Sequence, residues 1–512
     1  MGKLLEKIIE RRLQEDIQGR ICREQYGFRK GIGTVEALEK VTKYIQNGLN
    51  KGSYVVGVSL DIKNAFNSVV WEKILDGLGK MRVKEAVKDI IRSCFKNRRA
   101  ELEIEGGQIG WDIKRGVPQG SILGPTLWNV GYNDIISMNG DEGTVICCAD
   151  DTIILNEGKD LGELIKKVEK RIREIVEEIE KLGLNVAAEK TEMVVFTKKR
   201  RKYGEIREIK LKGASVKAKT SMKYLGIRLD ERLNYGMHFK EIYGKTMKVM
   251  NMMGILLGNT KGPLQKKREL LVSVGRSILL YGAPMCIWGD RTNIGKNREM
   301  IDKISRVCAL RIAAAYRTVS TEAAEIIAGS PPLDLIVEMR KKKYERLKQL
   351  GVEDLSEREK GRVKRRIGKE VRTDMLNQWQ ERWETDTGKA VWTRSLIGDI
   401  RIWENRKHGQ IDYFLTQFLS GHGAFNKYLH KFRKRESPMC SVCNVSEDAE
   451  HVILKCPRWR RERGELELRE GEENVTPRKI INLMTRNKDK WKKYAEVVRR
   501  ILRAKEAEER GM

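Results

Sequence analysis

The chain has 512 residues, enough for roughly two to four domains, and its 40% hydrophobic content can build ordinary soluble cores. Lysine and arginine total 102 against 72 acidic residues, a net charge of +30. No apolar run approaches the ~20 residues needed to span a membrane. A positive excess spread over hundreds of residues suits a polyphosphate backbone better than an acidic protein or a membrane surface. We therefore expect nucleic acid as the partner.

The N-terminal elements predict an intracellular α+β domain. The segment MGKLLEKIIERRLQ reads as a charged amphipathic helix instead of a signal sequence, and a second helix is predicted from about Val35 to Leu49. Residues 54–60, YVVGVSL, form an apolar run typical of a buried strand that ends at Asp61. An acid at the end of a strand is exposed there.

A tight hairpin is predicted next. Two short apolar runs, 144–148 and 152–155, bracket the tripeptide Ala149-Asp150-Asp151. This pattern places two carboxylates at the tip of the hairpin.

Helical spacing dominates the rest of the chain. A long helix is predicted from Leu161 to Leu182 and is stopped by Gly183, which completes an α+β domain up to about residue 235. Residues 236–330 are predicted to be helical. The charged stretch 338–372 fits a linker, a nucleic-acid-facing helix or a solvated helix equally well.

Six of the nine cysteines are interpreted as reduced, buried thiols, because they lie in apolar or helical contexts. They are Cys22, Cys94, Cys147, Cys148, Cys286 and Cys308.

The other three cysteines cluster with a histidine near the C-terminus. Cys440, Cys443, His451 and Cys456 have the spacing C-x2-C-x7-H-x4-C, which supplies a closed tetrahedral shell for one structural Zn²⁺. Plain buried thiols are the alternative. His422 and His430 are further candidate ligands, with capping or surface roles as their alternative. Basic residues flank the cluster and, with Trp459 as a stacking surface, favour binding to a nucleic-acid strand: Lys431, Arg433, Lys434, Arg435, Arg458, Arg460, Arg461 and Arg463.

The enzyme hypothesis rests on Asp61, Asp150 and Asp151. Three carboxylates held close together repel one another by up to about 4 kcal/mol per pair, a cost that divalent cations remove. Two Mg²⁺ ions can activate a 3′-hydroxyl and steady a leaving pyrophosphate. Each residue taken singly has an ordinary alternative as a turn or capping residue.

Three segments resemble the catalytic motifs of reverse transcriptases, in the family's order. They are VSLDIKNAFNSV (58–69), RGVPQGSILGPTLWN (115–129) and CADDT (148–152). In the third, Cys148 stands where the family usually has Tyr or Phe.

Further segments resemble the non-LTR retrotransposon branch of that family. Residues 2–13 and 25–34 resemble its fingers motifs, 183–192 its fourth palm motif and 223–227 its primer-gripping motif. Residues 421–432, together with the cysteine cluster, resemble the C-terminal region of arthropod type I elements that insert into ribosomal RNA genes.

The resemblance implies a right-hand polymerase with palm and fingers in 1–235, a helical thumb in 236–330, a basic helical connector in 331–410 and a zinc-binding region in 411–512. It also implies an RNA-directed DNA polymerase that works in the nucleus by target-primed reverse transcription. The implied partners are an RNA template, target and primer DNA, and deoxynucleoside triphosphates. Two Mg²⁺ ions would serve the reaction.

The motifs also imply residue roles. Asp61, Asp150 and Asp151 would carry the metals, with the backbone carbonyl of Ile62 as a further ligand. Phe66 would clash with a ribose 2′-hydroxyl and so select deoxynucleotides.

Other implied roles concern the nucleotide, template and primer. Gln119 and Gly120 would lie against the incoming nucleotide, and Lys190 would donate a proton to the pyrophosphate. The implied template and primer contacts are Gln25, Arg29, Tyr224, Leu225 and Gly226.

Two alternatives remain open. The family's fingers strands precede the first match, so we expect an N-terminally truncated piece of a polyprotein, and a decayed copy that binds nucleic acid without polymerising is the first alternative. An intron maturase-like RNA-folding protein is the second. The family implies an endonuclease in the parent polyprotein, but no acidic cluster after Cys456 resembles one.

Overall fold

The structure is a computed structural model. It describes residues 2–105, 107–140, 143–199, 207–260, 262–282, 294–351, 355–385, 388–464 and 476–509. The chain divides into two compact units, one ending at His238 and the other beginning at Phe239. Within the described residues, no helix is both long and apolar enough to cross a membrane.

The first unit combines helices and strands. Its helices are α1 (Gly2–Ile17), α2 (Thr34–Asn50), α3 (Ala65–Ser68), α4 (Trp71–Lys80), α5 (Glu85–Phe95), α6 (Gly124–Ile136) and α7 (Leu161–Lys181). Its strands are β1 (Tyr54–Leu60), β2 (Ile62–Lys63), β3 (Arg99–Ile104), β4 (Gly107–Asp112), β5 (Thr144–Cys148), β6 (Asp151–Gly158), β7 (Asn185–Val186), β8 (Glu192–Phe196), β9 (Glu208–Leu211), β10 (Ala214–Lys219), β11 (Ser221–Tyr224) and β12 (Ile227–Asp230). The predicted α+β class is confirmed.

A six-stranded sheet in the order β5-β6-β1-β8-β10-β9 forms the centre of this unit. β1 runs antiparallel to both of its neighbours. Val56 and Val58 face a core shared with α1 and α4 to α7, whereas Val55 packs on the other face against Gly48 of α2. Because both faces of β1 are covered, its sequence is continuously apolar instead of alternating.

The long helix α7 begins and ends as its sequence predicts. The carboxylate of Asp160 accepts a hydrogen bond from the backbone N–H of Glu163 at 2.9 Å and caps the first turn. Gly183 follows the helix with φ +76, a conformation that glycine adopts without strain. The apolar stripe of α7 packs on the sheet.

The hairpin β3–β4 was not predicted. Its register pairs Leu102 with Ile109 and Ala100 with Trp111, so the apolar side chains share one face. Leu102 is 55% exposed and Trp111 53%. Its short alternating strands gave too weak a sequence pattern to be recognised.

The described residues of the second unit are mainly helical. The helices are α8 (Gly236–Gly254), which spans the division, α9 (Gln265–Leu280), α10 (Gly295–Ala313), α11 (Thr321–Ala328), α12 (Leu333–Gln349), α13 (Glu357–Thr385), α14 (Val391–Leu396), α15 (Ile400–Glu404), α16 (Tyr413–Ser420), α17 (Asn426–Lys431), α18 (Arg460–Arg463), α19 (Pro477–Arg486) and α20 (Lys488–Glu509). The boundaries of thumb, connector and zinc-binding region stay predictions.

The charged stretch 338–372 belongs to two helices that pack against each other, α12 and α13. Gly351, with φ +54, follows α12. Arg346 lies 3.3 Å from a carboxylate oxygen of Glu370 and 3.4 Å from one of Asp374, which joins the two helices. Part of the positive charge of this stretch is therefore paired within the chain.

Candidate functional site

Three predicted carboxylates lie at one end of the central sheet. Leu60 pairs with Thr152 across the antiparallel strands β1 and β6, so the next residue, Asp61, comes level with Asp151. Asp150 lies in the turn between β5 and β6. Strand register alone brings these residues together from distant parts of the chain.

Their electrostatics reflect this grouping. Burial raises the pKa of Asp151, and the nearby carboxylates of Asp150 and Asp61 raise it further. Burial also raises the pKa of Asp150, a hydrogen bond from its own backbone N–H opposes that shift, and Asp61 adds repulsion. Neighbouring carboxylates supply the hard oxygen ligands that Mg²⁺ prefers.

Lys190 joins the same edge of the sheet. Its Nζ lies 3.7 Å from Oδ2 of Asp61, and both side chains are largely exposed. An exposed ion pair of this kind contributes little to stability. The backbone also links the two motifs, because the N–H of Ala187 donates to the carbonyl of Asp61 at 2.8 Å.

A two-residue turn, Ala149–Asp150, carries one of the carboxylates and is called here the catalytic turn. Cys148 pairs with Asp151 on either side of it. Ala149 has φ +62, in the left-handed region that two-residue hairpins use. Burial, followed by the charges of Asp151 and Asp150, raises the pKa of the Cys148 thiol to about 11, so the thiol stays neutral beside the aspartates.

The side chain of Gln25 forms hydrogen bonds with the backbone of the catalytic turn. Its Oε1 accepts hydrogen bonds from the N–H groups of Ala149 at 3.0 Å and Gly27 at 2.8 Å, and its Nε2 donates to the carbonyl of Ala149 at 3.5 Å. The side chain is fully buried. The structure thus corrects the expected template contact, because a buried amide whose groups are spent on the turn cannot reach a template strand.

Gly27 lies so close to the turn that no side chain fits. A Cβ at this position would lie 2.1 Å from the backbone nitrogen of Ala149. The carbonyl of Gly27 also accepts from Nδ2 of Asn129 at 3.0 Å. Arg29 secures the same loop, since its guanidinium donates to the carbonyls of Cys22 and Gln25 at 3.0 and 3.1 Å.

Phe66 lies where three of the sequence motifs meet. Its half-buried ring is 4.8 Å from that of Trp128 and 5.8 Å from that of Phe28, between centroids. Ile62, three residues before the start of α3, has a buried side chain and pairs with Val186 in the small β2–β7 ladder.

The loop before α6 packs its first half against the Phe66 segment. A Cβ on Gly116 would lie 2.7 Å from the carbonyl oxygen of Asn67, so glycine is required there. Gln119 and Gly120 are exposed in the second half of the loop. Gly120 has φ +83, and a Cβ there would meet no described atom within 4 Å. The space beside these two residues is open.

The predicted primer contacts form the turn of the β11–β12 hairpin. Leu225 and Gly226 have φ +43 and +80, as a two-residue turn requires. Tyr224 is buried, with its hydroxyl 3.4 Å from the carbonyl of Ile146 and 3.5 Å from that of Asp151. Tyr224 therefore supports the catalytic hairpin, while the tip of its own hairpin reaches the surface.

Cys440, Cys443, His451 and Cys456 form the second candidate site, the Cys3His cluster. One ligand atom from each lies within 4.8 Å of the others. Sγ of Cys456 is 3.8 Å from that of Cys440 and 3.7 Å from that of Cys443. Nε2 of His451 is buried and has no hydrogen-bond partner among the described residues. A histidine grouped with three thiols, with one ring nitrogen buried and unpartnered among the described residues, fits a tetrahedral metal site.

The peptide backbone favours the thiolate form of Cys440, whereas burial raises the pKa of Cys443 and Cys456. Burial alone would raise the pKa of Cys440, but hydrogen bonds from the backbone N–H groups of Val442 and Cys443, with the neighbouring thiols, lower it. Thiolate is the form that binds a metal. A buried ion pair anchors the module, since Nζ of Lys505 lies 2.6 Å from Oε1 of Glu447.

Several residues near the cluster differ from expectation. Trp459 is only 6% exposed, so it packs in the core of the module and cannot serve as the predicted stacking surface. His422 and His430 contact Thr318 and the carbonyl of Arg435 and lie outside the cluster, as their alternative interpretation predicts.

The remaining cysteines match the prediction only in part. Cys147 and Cys308 are buried, Cys22 and Cys148 are half-buried, and Cys94 is exposed. The expectation for Cys94 was wrong because its place on α5 faces away from the core residues of that helix. Cys286 lies outside the described residues.

Residues 1–229 match the family described as reverse transcriptase (RNA-dependent DNA polymerase). They belong to the reverse transcriptase family. The match spans the carboxylates, the catalytic turn and the β11–β12 hairpin, so the resemblance found in the sequence is confirmed.

Curated relatives extend this similarity beyond the reverse transcriptase domain. The 115 kDa protein in the type-1 retrotransposable element R1DM of Drosophila melanogaster is 26% identical over 90% of this chain and 44% of its own length. The Pol polyprotein from the type-1 retrotransposable element R1 of Bradysia coprophila is 25% identical over 90% of the chain and 46% of its own length. The RNA-directed DNA polymerase from the mobile element jockey of Drosophila melanogaster is 27% identical over 60% and 34%.

The chain spans less than half the length of these relatives. Among solved structures, the telomerase of Candida Tropicalis in complex with a fragment of telomeric RNA covers 72% of this chain and 56% of its own, with 14% identity and a TM-score of 0.35.

In the reverse transcriptase domain, the sequence predicted the catalytic carboxylates but not the residues that hold the catalytic turn in place. Gln25 and Gly27 were noticed only as parts of a fingers motif, and their contact with Ala149 had no sequence signal. In the second unit, a cavity lined by four aromatic residues was not predicted from the sequence; the four are Tyr316, Tyr413, Tyr428 and Phe432. The spacing of Tyr428 and Phe432, four apart, was the available signal.

Proposed function

We propose that the chain is an RNA-directed DNA polymerase of a non-LTR retrotransposon, joined to a zinc-stabilised region that binds nucleic acid. The observation that carries the proposal is the alignment of Asp61 with Asp150 and Asp151 at one end of the sheet, within a domain of the reverse transcriptase family. The net charge of +30 supports a polyanionic substrate.

The three aspartates are the residues that would hold two Mg²⁺ ions, with the carbonyl of Ile62 as a further ligand. Bound Mg²⁺ supplies activation of a 3′-hydroxyl and charge neutralisation at the leaving pyrophosphate. Gln25 fixes the backbone of the catalytic turn, so the carboxylate of Asp150 is held in place before a substrate arrives.

Neighbouring residues would select and orient the nucleotide. Phe66, supported by Trp128 and Phe28, offers a fixed ring edge against which a ribose 2′-hydroxyl would clash. Gln119 and Gly120 border the open space in the loop before α6. The ammonium of Lys190, held beside Asp61, is the proposed proton donor to pyrophosphate.

The template, primer and location proposed for the reaction are based on the similarity to retrotransposon proteins. We propose that the chain copies the RNA of its element from a nicked target-DNA 3′ end in the nucleus. The template is then the element transcript, and the substrates are deoxynucleoside triphosphates. The Leu225–Gly226 tip and Arg29 are the proposed primer and template contacts.

Zinc is the metal proposed for the Cys3His cluster. Three thiolates and one imidazole form a closed set that leaves no position for a substrate, which favours a structural role over a catalytic one. The cations of the flanking segments, including Arg433 and Arg435, would then meet a phosphate backbone.

Mg²⁺-dependent incorporation of deoxynucleotides on a primed RNA template tests the proposal. The Asp151→Asn variant is expected to lose more than about 100-fold in rate, because it removes a charge from the metal-binding set. Asp134→Asn, which changes an exposed acid on α6, is the matched control and should retain the rate of the unaltered chain.

Equal inactivity of the unaltered chain and Asp151→Asn, with RNA binding retained, would support a copy that binds without polymerising. Equal activity in both would reject the assignment of the carboxylates.

A further inference from the structure

A cavity of about 330 Å³ opens in the second unit. Its walls include four aromatic rings: Tyr316 from the segment after α10, Tyr413 from α16, Tyr428 from α17 and Phe432 just after α17. This volume is at the small end for ligand sites, so it suits one flat group and not a long chain.

The rings are fixed by polar contacts at their edges. The hydroxyl of Tyr428 lies 2.7 Å from that of Thr318, and the hydroxyls of Tyr316 and Tyr413 are 2.5 Å apart. The ring of Tyr428 lies 5.0 Å from that of Phe432. Phe432 nevertheless remains 43% exposed, which leaves a stacking face available at the opening.

A second cavity of about 180 Å³ shares two of these rings. Tyr428 and Phe432 line both cavities, and His422 contributes to the second. The ring of His422 lies 4.9 Å from that of Tyr428. Burial and the charge of Lys431 lower the pKa of His422 to about 4, so its ring is neutral at physiological pH. Two ring-lined spaces that share Tyr428 and Phe432 suit two successive flat groups of one chain.

Charge differs between the lining and the rim. Glu506 lies in the first cavity and accepts a hydrogen bond from Gln417 at 2.6 Å. Lys434 stands at the first cavity and Lys427 and Lys431 at the second, all three exposed, and Lys427 lies 3.2 Å from Oδ2 of Asp448, which also lines the second cavity. A carboxylate inside repels a phosphate, whereas lysines outside attract one. An uncharged base would therefore enter while its phosphates stay at the rim.

We propose that these two cavities bind unpaired bases of a single-stranded RNA. The rings supply stacking faces that every base can use, and the lysines follow the strand's backbone. An aliphatic peptide would fill the ring-lined space but would leave the lysine rim unused, and a duplex cannot present an unstacked base. This site takes over the stacking role that the sequence suggested for the buried Trp459.

The proposal rests on the nucleic-acid binding proposed above and does not depend on polymerisation. The test measures binding of the full chain to a labelled 12-nucleotide RNA that contains one 2-aminopurine, and to the same strand in a duplex. Tyr428→Leu and Phe432→Leu are each expected to weaken single-strand binding about 10-fold or more, because each removes a stacking ring. Binding to the duplex should change little.

Tyr428→Phe is the matched control, since it keeps the ring and loses only the bond to Thr318. It should bind the single strand as the unaltered chain does, and 2-aminopurine fluorescence should be quenched by both but not by Tyr428→Leu. Equal thermal melting of the unaltered chain and its three variants excludes a folding defect. A repeat with DNA of the same sequence should give weaker binding if the ligand is RNA.

Three results would overturn the proposal: leucine variants that bind as the unaltered chain does, equal loss on single strand and duplex, or tighter binding of the DNA strand. Primer extension on a short RNA–primer duplex separates this site from the polymerase. Tyr428→Leu should extend the primer normally, whereas Asp151→Asn should bind the single strand normally and extend nothing.

Discussion

At the scale of single residues, the catalytic turn depends on an amide that makes no contact with a reacting group. Gln25 binds both the N–H and the carbonyl of Ala149, and Gly27 allows its loop to lie against the same peptide. The left-handed Ala149 is thereby held in a conformation that residues with a Cβ seldom adopt.

Replacement of Gln25 by methionine tests this role. The change keeps the side chain's length but leaves the buried N–H groups of Ala149 and Gly27 without their acceptor. The free energy of unfolding should fall by about 2 to 4 kcal/mol, since each buried unpaired donor costs about 1 to 3 kcal/mol. The kcat of primer extension should fall, whereas the KM for deoxynucleotides should change by a smaller factor.

Chemical denaturation and steady-state primer extension measure the two effects. Gln18→Met, at an exposed position that follows α1, is the control and should alter neither. Unchanged stability in Gln25→Met would show that water or another group satisfies the turn, and the positioning role would be rejected.

The sequence could predict which residues carry charge at this site but not how they are held. Asp61 and Asp150 were found because each follows an apolar strand pattern. The contact between Gln25 and Ala149 joins residues 124 apart in the chain, and local pattern contains no information on such a pair. The same limit explains Trp459, whose burial depends on a module that folds around it.

At the scale of elements, strands with a buried face were predictable and those without were not. Residues 54–60 were predicted as a strand with the bounds that β1 has, because burial on both faces imposes a continuous apolar run. The side chains of the hairpin β3–β4 are exposed, so burial imposes no such apolar run on its sequence. The charged stretch after residue 338 was predicted to be helical, and the fold adds the pairing of α12 with α13.

The Cys3His cluster is expected to hold one zinc ion per chain. Cys456→Ser removes one of four ligands and should reduce bound zinc to less than about one-tenth of an ion per chain. Because metal binding contributes to folding of such modules, the same variant should unfold at a lower temperature.

Elemental analysis and calorimetry of the purified protein measure zinc and melting. Cys94→Ser changes an exposed thiol far from the cluster in sequence and should leave both unchanged. Zinc retained at one ion per chain in Cys456→Ser would rule out the tetrahedral site.

At the scale of the whole molecule, the excess of positive charge favours binding to a polyanion. Some basic side chains form ion pairs within the chain, as Arg346 does with Glu370, but basic residues still outnumber acidic ones by 30. The unpaired excess should attract RNA without regard to sequence, while the aromatic cavities act only on unpaired bases.

Single-strand RNA binding should therefore weaken steeply with salt. Between 50 and 200 mM NaCl the affinity should fall by more than about 10-fold, because each neutralised phosphate releases counterions. Titrations by fluorescence anisotropy give the slope. A strand of the same sequence with an uncharged backbone should show almost no salt dependence, and an equal slope for both strands would contradict a phosphate-based contact.

The exposed face of the β3–β4 hairpin has a consequence for handling the purified protein. Leu102, Ile104, Ile109 and Trp111 lie side by side on two strands that, among the residues the structure describes, pair only with each other, so both outer edges of this ribbon can accept a further strand. Such a ribbon adds strands from other copies as concentration rises. Preparations should turn turbid on concentration, and lysine at Leu102 or Ile109 should keep them clear.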